Sequence, residues 1–168
     1  MKKQSHAFAA ITISLLLGFV CSPGHANTGN YPAYLNEAYC TDLTDQFIDS
    51  GMRSLEKYVN DHFRPDRRRG ISNTISFLDK RGEWLGECNA YLLDVKKSNV
   101  FYNEQTTDEI FMAMQALARE LKHVKDGVEY PDALGQNNPQ PHIKSRFQVL
   151  AKAVDKHHTV RLMQKQFQ

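Results

Sequence analysis

Two pairs of carboxylate and imidazole side chains stand at the helical spacing that metal sites use. Glu120 and His123 form a Glu-x-x-His pair, and Asp155 and His158 form a similar Asp-x-x-His pair. Helical bundles that bind two metal ions take Glu-x-x-His from two helices and a further carboxylate from each of the other two. The helical phase argues against such a site here, because each carboxylate lies about 100° around its helix from an adjacent apolar residue. We expect these four side chains on the surface, with no metal bound.

A haem would need different ligands, which the sequence contains without a supporting motif. Histidine and methionine side chains serve as axial ligands of haem iron. The candidates are His62, His158, Met52, Met112, Met114 and Met163. Methionines at helical spacing usually fill cores, however, and no Ser, His and Asp arrangement has the motif context of a hydrolase. The sequence predicts no cofactor, no catalytic residue and no enzymatic activity. A metal- or haem-binding bundle stays as the alternative interpretation.

The N-terminus has the three regions of a secretory signal peptide. Lys2 and Lys3 precede an apolar run from about Ala7 to Val20, and a stretch with small residues follows and ends at Ala26. The run is shorter than the roughly 20 apolar residues of a membrane span, although an uncleaved anchor is the alternative. We therefore expect a signal peptide over residues 1–26 and a periplasmic location.

Cys21 offers a second way to process the leader, as the lipidated cysteine of a lipoprotein. Such a cysteine normally follows a leucine three places earlier and a small residue directly before it. Gly18 and Val20 hold these places, so the sequence favours a mature chain over 27–168 that carries no lipid.

The mature chain is predicted to be formally neutral. The whole sequence has 21 Lys and Arg against 19 Asp and Glu, and the leader removes two lysines and no acids. Binding to nucleic acid depends on neutralising phosphates, so we expect no nucleic-acid partner. The mature length suits one domain with its own core.

Apolar spacing predicts four helices in an all-α, antiparallel bundle. Apolar residues recur at steps of three and four over about 33–63, for helix 1, and over about 72–97, for helix 2. Thr106 and Glu109 suggest a capping box at the start of helix 3, and Gly127 suggests its C-terminal cap.

Helix 4 is expected to follow a loop that is rich in Pro, Gly and Asn, over 128–142. It would begin near Pro141 or His142, and its apolar stripe would run through Val154 to His158 or Leu162.

Cys40 and Cys88 are the remaining cysteines, and their spacing fits no zinc motif. If helices 1 and 2 form a hairpin, both cysteines lie on apolar faces and within about one helical turn of direct opposition. Two free buried thiols are the alternative. We predict a disulfide that clamps the hairpin and contributes about 3–4 kcal/mol of stability.

Four arginines occupy the predicted turn of this hairpin, in the stretch "HFRPDRRRGIS". Arg64, Arg67, Arg68 and Arg69 form either a solvated turn or a contact site for anions. Outside the cytoplasm the anion would be a lipid headgroup, lipopolysaccharide or an acidic protein face. We interpret the four arginines as a candidate anionic-contact turn, and peripheral contact with an anionic membrane surface is one form of it.

Helix 2 also has an aromatic stripe, because Phe77, Trp84 and Tyr91 stand seven residues apart. A stripe beside the main apolar face indicates packing against more than one neighbour. It is either core or a partner surface, and the sequence leaves both open.

These features together predict a small exported helical protein that binds another envelope or secreted protein. An inhibitor, an immunity protein, a chaperone-like factor and an accessory subunit of an envelope assembly all fit that description.

The leader yields the first testable prediction. Because its three regions end at Ala26, the exported protein should begin at Asn27, within a few residues. Intact-mass measurement of the exported protein checks this. A retained leader, or the mass of a diacylglyceryl group on Cys21, would contradict the assignment.

Overall fold

The computed structural model describes residues 31–94 and 104–166, which fold into four helices. Helix α1 is one continuous helix built from four stretches: Glu37–Gln46, Phe47–Gly51, Met52–Lys57 and Tyr58–His62. The other three are α2 (Arg68–Asp94), α3 (Glu104–Lys125) and α4 (Gln140–Gln166). No strand occurs in the described ranges, where an isolated bridge joins Pro131 to Asn137. The prediction of an all-α bundle of four helices is confirmed.

Contacts at two levels of each helix pair show that neighbouring helices run antiparallel. Helices α1 and α2 are joined by Cys40–Cys88 and by Phe47–Phe77. Helices α1 and α4 are joined by Asp45–Arg161 and by Val59–Gln140. Helices α3 and α4 are joined by Glu109–Lys156 and by Glu120–Arg146. In every pair the residue numbers rise along one helix as they fall along the other. The bundle is therefore up-down-up-down, with α1 beside both α2 and α4.

Helix α1 contains two π-helical stretches, at Phe47–Gly51 and Tyr58–His62. The second ends where the N–H of Phe63 donates to the carbonyl of Tyr58, at 2.7 Å. Gly51 is the last residue of the first stretch. A Cβ there would come within 3.0 Å of the Phe47 ring and 3.3 Å of the Phe77 ring. Glycine therefore lets α1 and α2 approach closely without breaking the helix.

Helix α2 begins at Arg68, about one turn earlier than we predicted from Ser72. The reason is Ile71, which is fully buried and belongs to the core. The turn between α1 and α2 shortens accordingly, and Arg68 and Arg69 lie in the first turn of α2. The predicted end of helix 2 near Lys97 lies outside the described residues.

The predicted capping box at the start of α3 is wrong. The helix begins at Glu104, so Thr106 and Glu109 lie inside it. Both side chains instead contact α4: the Thr106 hydroxyl lies 2.7 Å from Nδ1 of His157, and Glu109 pairs with Lys156 at 2.6 Å. Polar residues at capping-box spacing therefore join two helices.

The predicted end of α3 is confirmed. Gly127 has a φ of 86°, the left-handed conformation that favours glycine. Its N–H donates to the carbonyl of Val124, and the N–H of Val128 donates to the carbonyl of His123. These two bonds form a Schellman motif. The predicted loop follows, and α4 begins at Gln140, close to its predicted start.

The predicted disulfide is present. Cys40 of α1 and Cys88 of α2 are bonded, with their Cα atoms 5.5 Å apart and both residues fully buried. The expected signal peptide and Cys21 lie outside the described residues. None of the described helices is long and apolar enough to cross a membrane.

Loss of the disulfide should destabilise the fold. Cys88→Ser should lower the free energy of unfolding by about 2–5 kcal/mol. The reason is that the disulfide closes a loop between residues 48 positions apart, and without it the unfolded chain gains conformational entropy. Urea unfolding of the oxidised protein and the variant measures the difference.

Cys40→Ser is the matched control for this experiment. Cys40→Ser should lower the free energy of unfolding about as much as Cys88→Ser does. The double variant should lower it hardly more, because the two residues share one bond. Equal stability of the unchanged protein before and after reduction would contradict the prediction.

Candidate functional site

The four residues considered as metal ligands do not converge. Glu120 accepts a bond from Nε of Arg146 at 3.2 Å, while His123, Asp155 and His158 are exposed. Among the described residues no group of three or more His, Cys, Asp or Glu could hold a metal ion. The predicted surface positions are confirmed for the last three, whereas Glu120 is partly buried.

Glu120 belongs instead to a cluster with Tyr130 and Arg146 at one end of the bundle. Burial acts to raise the pKa of Glu120, but the Tyr130 hydroxyl and the Arg146 guanidinium lower it overall. Burial and the Glu120 carboxylate raise the pKa of Tyr130 to about 12. The Tyr130 ring also lies 4.7 Å from the ring of His142. This cluster attaches the loop after α3 to the start of α4.

The residues considered as haem ligands also lie apart. His62 is exposed at the end of α1, and His158 is exposed near the far end of α4. Met114 is fully buried in the core, whereas Met112 and Met163 are exposed. Met52 is partly buried in α1.

Sequence reasoning missed the most buried titratable side chain that the structure describes. His157 of α4 is fully buried, and its Nδ1 contacts the hydroxyl of Thr106. Its other ring nitrogen, Nε2, is buried without a hydrogen-bond partner. One turn further along α4, Arg161 bonds Asp45 of α1 through two nitrogens, one of them at 3.0 Å. A polar cluster thus joins α1, α3 and α4.

The predicted continuation of the α4 stripe through His158 or Leu162 is wrong. The buried face follows alternating steps of four and three: Ile143, Phe147, Leu150, Val154, His157 and Arg161. Leu162 is half exposed. The alternating steps of four and three were the available signal in the sequence. The stripe continues with two polar residues, His157 and Arg161, which a search for apolar residues does not find.

The surroundings of His157 favour its neutral form. Burial lowers the pKa of His157, and the neighbouring Arg161 and His158 lower it further, while Asp45 acts in the opposite direction. The imidazole is closed to solvent, so a substrate has no route to it. It can hold helices together, and protonation would weaken that contact.

The four arginines of the turn between α1 and α2 are all exposed. Arg64 donates to the adjacent carbonyl of Phe63 at 2.7 Å. Within the part of the chain that the structure describes, none of the four belongs to an ion pair, although Asp66 stands among them. Four positive charges therefore point to solvent at one end of the bundle.

The aromatic stripe of α2 is half buried along its length. The Phe77 ring stacks on Phe47, with centroids 6.4 Å apart, and the Tyr91 ring meets Tyr31 edge-on at 5.2 Å. The guanidinium of Arg81 lies 4.9 Å from the ring centre of Trp84. The stripe packs against the core on one side, and its use as a partner surface stays a prediction.

An open groove of about 720 Å³ runs between α3 and α4 on the outside of the bundle. We call it the α3–α4 groove. Its lining is mainly apolar and includes two exposed hydrophobic side chains, Met112 and Val149. Charged residues of both signs complete the lining, and no sequence pattern that we considered pointed to it.

Comparison of the chain with known proteins adds no relative to this description. No family model, no curated protein and no solved structure matches it.

His157 makes the fold sensitive to acid. Its folded-state pKa is lowered, so the unfolded chain binds the proton more readily. The free energy of unfolding should therefore fall as the pH drops below about 6.5, the ordinary value for histidine. His157→Asn cannot take up this proton and should show a smaller acid loss, after a cost of about 1–3 kcal/mol at neutral pH.

Urea unfolding at about pH 7.5 and about pH 5.5 measures both quantities. The matched control is His62→Asn, at an exposed position at the end of α1, which should keep the acid sensitivity of the unchanged protein. An equally steep acid loss in His157→Asn would exclude the buried imidazole as its source.

Proposed function

We propose that the protein is an exported helical binding protein that attaches to the acidic face of another envelope or secreted protein. The observation that carries the proposal is the turn between α1 and α2, where Arg64, Arg67, Arg68 and Arg69 are all exposed. Guanidinium groups suit this role, because their planar donors match carboxylates in pairs.

These arginines do not stabilise the fold in the way charges near helix ends usually do. The N-terminus of a helix has a partial positive charge, so cations there are repelled. Arg68 and Arg69 nevertheless lie in the first turn of α2. Their positions work against the helix, which is consistent with a role in contacting something outside the chain.

Charges of both signs lie beside the turn. Because α3 runs antiparallel to α4, its last turn lies at the same end of the bundle as the start of α4 and the end of α1. Lys122 and Lys125 are exposed in that last turn, and Asp126 and Glu129 are exposed directly after it. The basic contact that we propose is therefore the arginine turn itself.

Export is supported by two features. The leader over 1–26 has the composition of a signal peptide, and the Cys40–Cys88 disulfide is compatible with an oxidising compartment such as the periplasm. Removal of the leader also leaves a neutral chain, which argues against nucleic acid as the anion. A binding role, rather than a catalytic one, is supported by the enclosed position of His157.

Neutralising the turn should weaken binding to an acidic protein surface. Replacing Arg67, Arg68 and Arg69 with Gln should reduce affinity for poly-glutamate about tenfold, since each exposed ion pair contributes about 0.2–1 kcal/mol. Raising the salt from about 0.1 M to about 1 M should mimic that loss, because the Debye length falls from about 10 Å to about 3 Å. Stability should change by less than about 0.5 kcal/mol.

The matched control removes three exposed cations from the sides of the bundle: Arg53→Gln, Lys57→Gln and Arg119→Gln. It changes the net charge equally and should bind poly-glutamate as the unchanged protein does. Equal binding by the turn variant would overturn the proposal. Binding to phosphatidylglycerol vesicles without binding to poly-glutamate would assign the turn to a lipid surface instead.

A further inference from the structure

The α3–α4 groove leaves hydrophobic side chains exposed to solvent. Met112 is 62% exposed and Val149 is 50% exposed. Three alanines also line the groove: Ala113, Ala116 and Ala153. Small side chains let another helix approach closely, because the distance between packed helices depends on the side chains at the contact.

Charges of opposite sign line the two sides of this groove. Asp108 and Glu109 belong to α3, and Lys152 and Lys156 belong to α4. Glu109 and Lys156 are in contact at 2.6 Å, so the acidic and the basic sides stand at the same height along the bundle. The groove is therefore acidic on one side, basic on the other and apolar along its length.

The geometry points to a second copy of this chain as the occupant of the α3–α4 groove. A two-fold axis parallel to the helices, centred on the groove, exchanges the lateral positions of α3 and α4. Helix α3 of each copy then faces α4 of the other at the same height. Asp108 accepts a bond from Asn89 of its own α2, and Lys156 already pairs with Glu109. In the dimer, Asp108 of one copy would also lie opposite Lys152 and Lys156 of the second copy, and the contact would occur twice.

Other arrangements do not satisfy the charges in this way. A two-fold axis across the helices would place α3 on α3 and α4 on α4, without opposite charges between the copies. The parallel arrangement also brings Met112 of each copy over the alanines and Val149 of the other. Apolar contact in the middle with charges at the edge is the usual anatomy of a protein interface.

The dimer goes beyond the proposed function and does not depend on it. Because the axis runs along the bundle, both arginine turns would lie at the same end of the dimer and face the same way. Two linked sites that engage together bind more tightly than either alone. The dimer would thus present a doubled basic surface to a single acidic partner.

Sedimentation equilibrium of the mature, oxidised protein tests the proposal. We expect twice the mass of the single chain for the unchanged protein. Met112→Glu should shift it to the mass of one chain, because it places an acid in the apolar centre. Leu134→Glu is the matched control: Leu134 is 82% exposed in the loop before α4, and the change should leave the dimer intact.

Exchanging charges tests whether α3 of one copy lies opposite α4 of the other. Lys152→Glu and Asp108→Lys should each weaken self-association about tenfold or more, since like charges then face each other. An equal mixture of the two variants should recover the dimer, because Glu and Lys then pair across the interface. Asp108→Lys also removes the acceptor of Asn89, so circular dichroism and urea unfolding of each variant verify that its fold is intact.

Three results would overturn the proposal. The first is an unchanged protein that stays a single chain at high micromolar concentration. The second is a dimer that survives Met112→Glu, and the third is a pair of charge variants that do not recover the dimer when mixed. Poly-glutamate binding by a protein that stays a single chain would overturn the dimer while leaving the proposed function in place.

Discussion

The bond between Cys40 and Cys88 holds α1 in the position on which the rest of the bundle depends. It joins the first turn of α1 to the last third of α2 inside the core. With α1 held there, Asp45 of α1 accepts a bond from Arg161 of α4, which joins the two helices. Further along, Gly51 lets the Phe77 ring come close to α1. Covalent attachment at one end and close packing in the middle set the course of this helix.

Two polar contacts between helices lie at the same end of the bundle as the disulfide. Thr106 and His157 meet between α3 and α4, and Asn89 of α2 donates to Asp108 of α3. A polar group in an otherwise apolar seam is satisfied in one alignment and left without a partner in others, so it selects that alignment. These contacts favour the antiparallel order of the helices, which apolar packing alone specifies less strictly.

The two surfaces that we connect with function lie on different parts of the molecule. The arginine turn is at the end of the bundle away from the disulfide, and the α3–α4 groove is on its side. The groove shares Ala113 with the core, and its Asp108 accepts a bond from buried Asn89, whereas the four arginines are exposed. Because the two surfaces lie apart, a partner on one does not obstruct a partner on the other.

The sequence alone determined the helices, the pairing of the cysteines, the end of α3 at Gly127 and the loop that follows. The helices, the end of α3 and the loop depend on local spacing or on backbone conformation, which neighbouring residues specify. The pairing of the cysteines followed because only two of them remain after the leader. Tertiary structure decided the rest. Ile71 extended α2 towards the turn because the core includes it. Thr106 was predicted to cap α3, but its hydroxyl contacts His157 because α4 lies beside it. A buried polar residue is acceptable only where another helix supplies its partner, and the order of residues along the chain does not show which helix that is.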